Sequence, residues 1–150
     1  MATVADLPCA AGTLRRATRS VSRLYDSYLA NVGLTTTQYS LLVSLERRDG
    51  PMPLTELAAE QVFERTSLYR ALEPLRREGL IALTAGPGRT KLATLTSRGI
   101  RRIAEAQSHW QQAQDAFLRE FGRSAWSGLA RQLSGVVAAV RTAPASRDSR

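Results

Sequence analysis

The chain has 150 residues, 43% of them apolar and 23% charged, with 21 basic side chains against 13 acidic ones and a formal net charge of +8. That length supports one modest core; no run approaches the roughly 20 apolar residues of a membrane helix, and a lone cysteine excludes an internal disulfide. With one His, one Cys and no clustered carboxylates there is no credible triad, metal site or phosphate loop, so no enzyme, metal or cofactor is expected.

The N-terminus lacks a basic stretch followed by an apolar run, so no secretory signal is expected, and the cytoplasm fits the cysteine usage. From Ala10 to Ala30, an apolar stripe of Leu14, Ala17, Val21, Leu24, Tyr25 and Tyr28 recurs at helical spacing. Arg15, Arg16, Arg19, Arg23 and Asp26 fall mostly off it, and Gly33 ends the helix. Thr35 or Thr36 caps a second helix that runs to about Arg48 and buries Tyr39, Leu42 and Leu45. Asp49, Gly50 and Pro51 form a turn.

The stretch from Leu54 to Gly99 is the most informative part of the chain. Leu54 to Gln61 reads as a short amphipathic helix, Val62-Phe63-Glu64 as a tight connection, and Arg65 to Glu78 as a second helix stopped by Gly79. On the wheel of that second helix Leu68, Leu72 and Leu75 form the core stripe. Thr66, Arg70, Glu73 and Arg77 lie opposite, and Arg and Thr side chains suit base edges and phosphates. Pro74 removes one hydrogen bond and predicts a bend rather than a break.

Two strands follow. Ile81 and Leu83 share one face, as do Ala93 and Leu95, around a turn-rich loop from Ala85 to Thr90. The whole reads as a winged helix-turn-helix whose second helix is shaped for the major groove. The loop tip carries Arg89, with Lys91 after it, a pair suited to a narrow minor groove. Between Arg65 and Arg102, eight Arg and Lys91 stand against Glu73 and Glu78, a local charge of +7 that accounts for most of the excess. The expected DNA contacts are Thr55, Arg65, Thr66, Ser67, Arg70, Arg77, Arg89 and Lys91. A winged helix used only for protein contacts is the competing reading, and it does not need that charge.

Thr96 or Ser97 then caps a long helix to Phe121 carrying Ile100, Ile103, Ala104, Trp110 and Phe117, stopped by Gly122. A last helix spans about Ser124 to Arg141, with Trp126, Leu129, Leu133, Val136, Val137 and Val140 on its apolar side. The tail from Thr142 to Arg150 is small and polar and is expected to fray. The fold class is therefore mainly α with a small β-hairpin wing. The terminal helices, about 10–31 and 97–141, flank a winged unit at about 35–96. Their long stripes suit packing against a second copy, with a monomeric bundle as the alternative. A two-fold dimer would set two recognition helices about one DNA turn apart, ready for a palindrome.

The chain resembles the MarR family of transcriptional regulators over nearly its whole length. The matching residues are Gly33-Leu34-Thr35, Gln38-Tyr39, Leu54 to Ala58, Arg65 to Leu68 with Arg70, Leu72 and Leu75, Glu78 to Ile81, and Leu95-Thr96 with Gly99. The resemblance implies one MarR-like domain over 1–150. It also implies a homodimer on palindromic double-stranded DNA, usually as a repressor, released by a small molecule or an oxidant. Family members commonly brace the wing with an aspartate two residues before the wing-tip arginine. Pro87 stands there, so this wing is expected to be held differently or to be looser.

Two signals are open. Cys9 precedes the first helix, whose dipole favours a thiolate. Aligned from Arg19, Tyr25 and Gln38-Tyr39, the reactive cysteine of the hydroperoxide-sensing branch falls on Ala11. Of the two tyrosines that hold that thiol, one falls on Tyr25 and the other on Arg15, so that site is half present. Other relatives carry Cys-x-Cys here, and Cys9-Ala10-Ala11 looks like that pattern without its second member. The other signal is a small aromatic or phenolic effector in the cleft used by MarR-like proteins. Tyr25, Tyr28 and Tyr39 would line it, with Arg16 or Arg19 as anion partner. The sole histidine, His109, reads as a surface or interface residue.

Overall fold

The computed structural model describes residues 7–142, so the expected frayed tail lies outside the described residues apart from Thr142. The elements run α1 (Ala10–Leu29), α2 (Thr36–Arg48), β1 (Met52–Pro53), α3 (Leu54–Gln61), α4 (Arg65–Arg77), β2 (Ile81–Ala85), β3 (Lys91–Leu95), α5 (Ser97–Phe121) and α6 (Arg123–Thr142). A 3-10 turn, Ala30–Val32, follows α1 and ends at Gly33 in the left-handed region.

Local signals set these boundaries. Thr35 caps α2 through a reciprocal box: its side chain accepts from the Gln38 N–H, and its own N–H donates to Gln38 Oε1 at 2.9 Å. Asp26 braces the same end, accepting from the Thr36 N–H and the Thr36 hydroxyl, both at 2.6 Å. Thr96 begins α5 by accepting from the Gly99 N–H at 3.0 Å while its hydroxyl donates to the Gly79 carbonyl at 2.7 Å. Helix α4 continues through Pro74 to Arg77, and Gly79 takes the left-handed conformation beyond it. Val62 makes the turn between α3 and α4 at φ 55°, an unusual conformation for a β-branched residue.

The sheet corrects one expectation. It has three antiparallel strands in the order β1-β3-β2, not two. Met52 pairs with Ala93 and Pro53 with Leu92, so the residues just after the Asp49-Gly50-Pro51 turn form an edge strand. Two residues are too few for a period-2 pattern to register. The expected hairpin faces hold: Ile81 opposes Leu95 and Leu83 opposes Ala93.

Leucines dominate the core. Leu68, Leu72 and Leu75 of α4 meet Leu41, Leu42 and Leu45 of α2 and Leu57 of α3. Leu42 and Leu45 are buried as expected, Leu41 joins them fully buried, and Tyr39 is only half-buried. Helix α1 and the first part of α5 are not separate from this core: Leu29 of α1 and Ile103 and Ala106 of α5 belong to it, whereas Ala104 is exposed. The chain divides into two compact units inside α5, one ending at Ala113 and the next beginning at Gln114. In the second, Phe117 stacks on Phe121 at 5.4 Å and meets Trp126 edge-on at 5.2 Å.

Candidate nucleic-acid interface

Helix α4 presents the expected polar face. Arg65, Thr66, Ser67, Arg70 and Arg77 are all exposed, and Thr66, Arg70 and Arg77 lie opposite the buried leucines. Glu73 is occupied by its own helix: Arg76 donates to it from Nε at 2.9 Å and from Nη2 at 2.7 Å. That bidentate pair holds the Glu73 carboxyl below its ordinary pKa, chiefly through the Arg76 hydrogen bond; desolvation opposes it, and the Arg76 and Arg77 charges add to the lowering. Arg102 is also diverted from solvent. Its Nη1 donates to the Val32 carbonyl at 3.1 Å and lies 3.4 Å from Glu78. The local cation count therefore overstates the charge available to a ligand by these two arginines.

The tip of the wing is closed by its own backbone. Gly86 N–H donates to the Thr90 carbonyl at 2.8 Å and Thr90 N–H to the Pro87 carbonyl at 3.3 Å. Gly88 sits at φ 64°, a conformation suited to glycine. With proline at position 87, these two bonds supply the bracing.

Between α4 and the wing is a cavity of about 590 Å³. Four expected contact residues converge on it: Thr55 of α3, Arg65 of α4, Arg89 of the tip and Lys91 of β3. Thr66, Ser67, Arg70 and Arg77 lie elsewhere on α4 and do not line it. Tyr69 also lines it, a residue the sequence does not single out. The Arg65 guanidinium lies 6.0 Å from the Tyr69 ring centre and the Lys91 ammonium 5.6 Å from it. The spacing from Arg65 to Tyr69, one helical turn, was a usable signal; the approach of Lys91 was not.

The expected effector residues divide. Tyr25 is buried and Tyr28 half-buried on α1, while Arg16 and Arg19 are exposed there. Tyr39 lines a cavity of about 390 Å³ between α2 and α5, bounded also by Ser40, Val43, Arg47, Gln107, Trp110 and Gln111, and the other four do not line that one. Arg47, not Arg16 or Arg19, is the cation at that cavity. Trp110 joins the tyrosines, edge-on to Tyr25 at 6.5 Å and stacked on Tyr39 at 6.4 Å. Burial raises the Tyr25 pKa. For Tyr39 burial raises it most, Glu46 adds to the rise and Arg47 opposes it. Cys9 is the exposed N-cap residue of α1. Among the described residues no helix is long and apolar enough to cross a membrane, and no cluster of acidic, His or Cys side chains could hold a metal.

No family model matches the chain, and no curated protein does. Solved structures do match. The M. tuberculosis transcriptional regulator MosR is 33% identical over 90% of this chain and 97% of its own, with a TM-score of 0.79. MosR in complex with DNA gives 34% identity over 89% and 97%, with a TM-score of 0.80. The repressor CouR bound to p-coumaroyl-CoA is 25% identical over 86% of this chain and 91% of its own, with a TM-score of 0.75. A MarR-family regulator from Rhodococcus sp. RHA1 shares the fold at 21% identity, 83% and 89% coverage and a TM-score of 0.74. A winged fold with a cationic recognition face, matched to MosR along nearly the whole chain, places this protein in the MarR family of DNA-binding transcriptional regulators.

Proposed function

We propose that the protein is a homodimeric repressor that binds a palindromic operator through α4 and the wing and is released by a small aromatic or phenolic ligand. The observation that carries the DNA reading is the convergence of Thr55, Arg65, Arg89 and Lys91 beside the exposed Thr66, Ser67, Arg70 and Arg77. In this reading α4 lies in the major groove, where Arg70 reads bases, and Arg89 reaches the minor groove.

The dimer reading rests on apolar surface that one chain leaves uncovered. Val136, Val137 and Val140 of α6 and Phe121 of α5 are exposed, and no residue of α6 through Arg141 is buried. A second copy packing on these helices would cover them.

The effector reading rests on the cavity at Tyr39, Trp110 and Arg47. Its size suits one aromatic ring, with the stacked pair as a platform and the guanidinium as partner for a carboxylate. The p-coumaroyl-CoA carried by CouR shares the phenolic ring of this reading, with its carboxyl tied up as a thioester. A second reading, thiol sensing, is favoured by the exposure of Cys9 at the head of α1.

Selection of bound sequences from random duplex DNA tests the central reading and yields the operator. Binding of the selected duplex is expected to fall with salt at a log–log slope of roughly −5 to −9, because two copies of the basic unit neutralise several phosphates. A slope near zero would point instead to a winged helix used for protein contacts.

A further inference from the structure

We propose that Tyr69 is a positioning residue for DNA binding, whose ring holds the Arg65 and Lys91 cations at the seat between α4 and the wing where the sugar-phosphate backbone passes. The inference rests on the reading that α4 occupies the major groove and the wing the adjacent minor groove. One backbone strand separates those two grooves, so it must cross the space between α4 and the wing tip. The structure leaves a concave space of about 590 Å³ at that place.

Its lining has the chemistry of a phosphodiester. Arg65, Arg89 and Lys91 bring three positive charges from two elements and a loop, and Thr55 and Thr90 bring hydroxyl donors. Leu54, Ala58, Phe63 and Leu68 supply an apolar floor, which lowers the local dielectric and strengthens a charge–charge contact. Arg65 and Lys91 are like charges on one cavity and repel each other. Both approach the Tyr69 ring, the guanidinium at 6.0 Å and the ammonium at 5.6 Å from its centre. Its electron-rich face attracts each cation and holds both in position before a phosphate arrives.

Tyr69 thereby ties the wing to the recognition helix. Lys91 is the first residue of β3 and Arg65 the first of α4, so one ring fixes the relative placement of two separate DNA-reading elements. A seat of this kind sets register along the duplex and carries no base information.

The test uses the full-length protein and the duplex selected by it, with Tyr69→Leu, Tyr69→Phe and Lys91→Gln. Lys91 is exposed, so its substitution does not threaten the fold. Tyr69→Leu and Lys91→Gln are each expected to weaken binding about tenfold and to flatten the salt slope by about 1 to 2, with the ranking of base variants unchanged. Tyr69→Phe, which keeps the ring face, is expected to recover most of the affinity. Neutralising one backbone position per half-site with a methylphosphonate should weaken the parent protein and have little further effect on Lys91→Gln. Parent binding that neither Tyr69→Leu nor Lys91→Gln alters overturns the seat alone. A changed base ranking at an unchanged salt slope assigns Tyr69 to base reading and also overturns it. A parent protein that selects no duplex at any salt overturns both the seat and the groove placement beneath it.

Discussion

Trp110 of α5 stacks on Tyr39 of α2, with ring centres 6.4 Å apart and planes 29° from parallel, and the pair forms one wall of the α2–α5 cavity. Two elements joined through aromatic faces give a ligand somewhere to act on their spacing. They also give a reporter, because the other tryptophan, Trp126, lies in the second compact unit.

A small aromatic carboxylate such as 4-hydroxybenzoate is therefore expected to change Trp110 emission in a Trp126→Phe background and to release DNA over the same concentration range. Tyr39→Ala should weaken the ligand about tenfold, and Arg47→Gln should weaken the acid more than the neutral phenol. A fluorescence titration reads both. Release of DNA with no response from Trp110 would place the effector elsewhere.

Readout and positioning should separate on α4 and the wing. Arg70→Ala is expected to cost about 1–3 kcal/mol on the best sequence and to relax base preference. Arg89→Ala should weaken binding with little change in preference, except at A·T-rich flanks. Affinities measured across a panel of operator variants distinguish the two patterns.

Two positions report on backbone geometry. A Cβ at Gly99 would overlap the Leu80 carbonyl and the Leu95 side chain, where the first turn of α5 packs on the start of the wing. Gly99→Ala is expected to destabilise the fold by about 1–3 kcal/mol. Val62 is exposed and left-handed, so Val62→Asn is expected to stabilise by about 0.5–1 kcal/mol. Urea denaturation of each variant checks the opposite signs.

Burial holds the Tyr25 and Tyr39 phenols above the usual 10.0, so the folded state keeps its protons where the unfolded chain loses them. Stability from these groups is fully present below pH 10 and is lost as pH rises through the raised folded values. A stability–pH profile should be flat from these residues at pH 7–9 and fall above 10, with a shallower fall in Tyr39→Phe.

Oxidation discriminates the two signals. Mild peroxide is expected to leave DNA binding of the parent and of Cys9→Ser alike, because within one chain no second cysteine resolves a sulfenic acid and the only resolving thiol is Cys9 of another copy. A loss of binding in the parent that Cys9→Ser abolishes would favour the thiol reading over the cavity.

The helices, the winged unit and the basic face were legible in the sequence because each is a local pattern. Leu68, Leu72 and Leu75 mark the inner face of α4 by spacing alone, and the facing pairs Ile81–Leu95 and Leu83–Ala93 follow from alternation around a turn. Thr35, Gly79 and Gly122 mark boundaries through caps and left-handed glycines. What only the tertiary structure decided is which distant groups meet. Strand β1 exists because Met52 and Pro53 find the free edge of β3, not because two residues encode a strand. Arg102 leaves the cationic face because the Val32 carbonyl and Glu78 lie within its reach. Tyr69 meets Lys91 because the wing brings that side chain to its ring, and Tyr39 meets Trp110 because α5 packs there. Periodicity tells which face of an element is covered; it carries no information about what covers it, because that is set by packing between segments far apart in the chain.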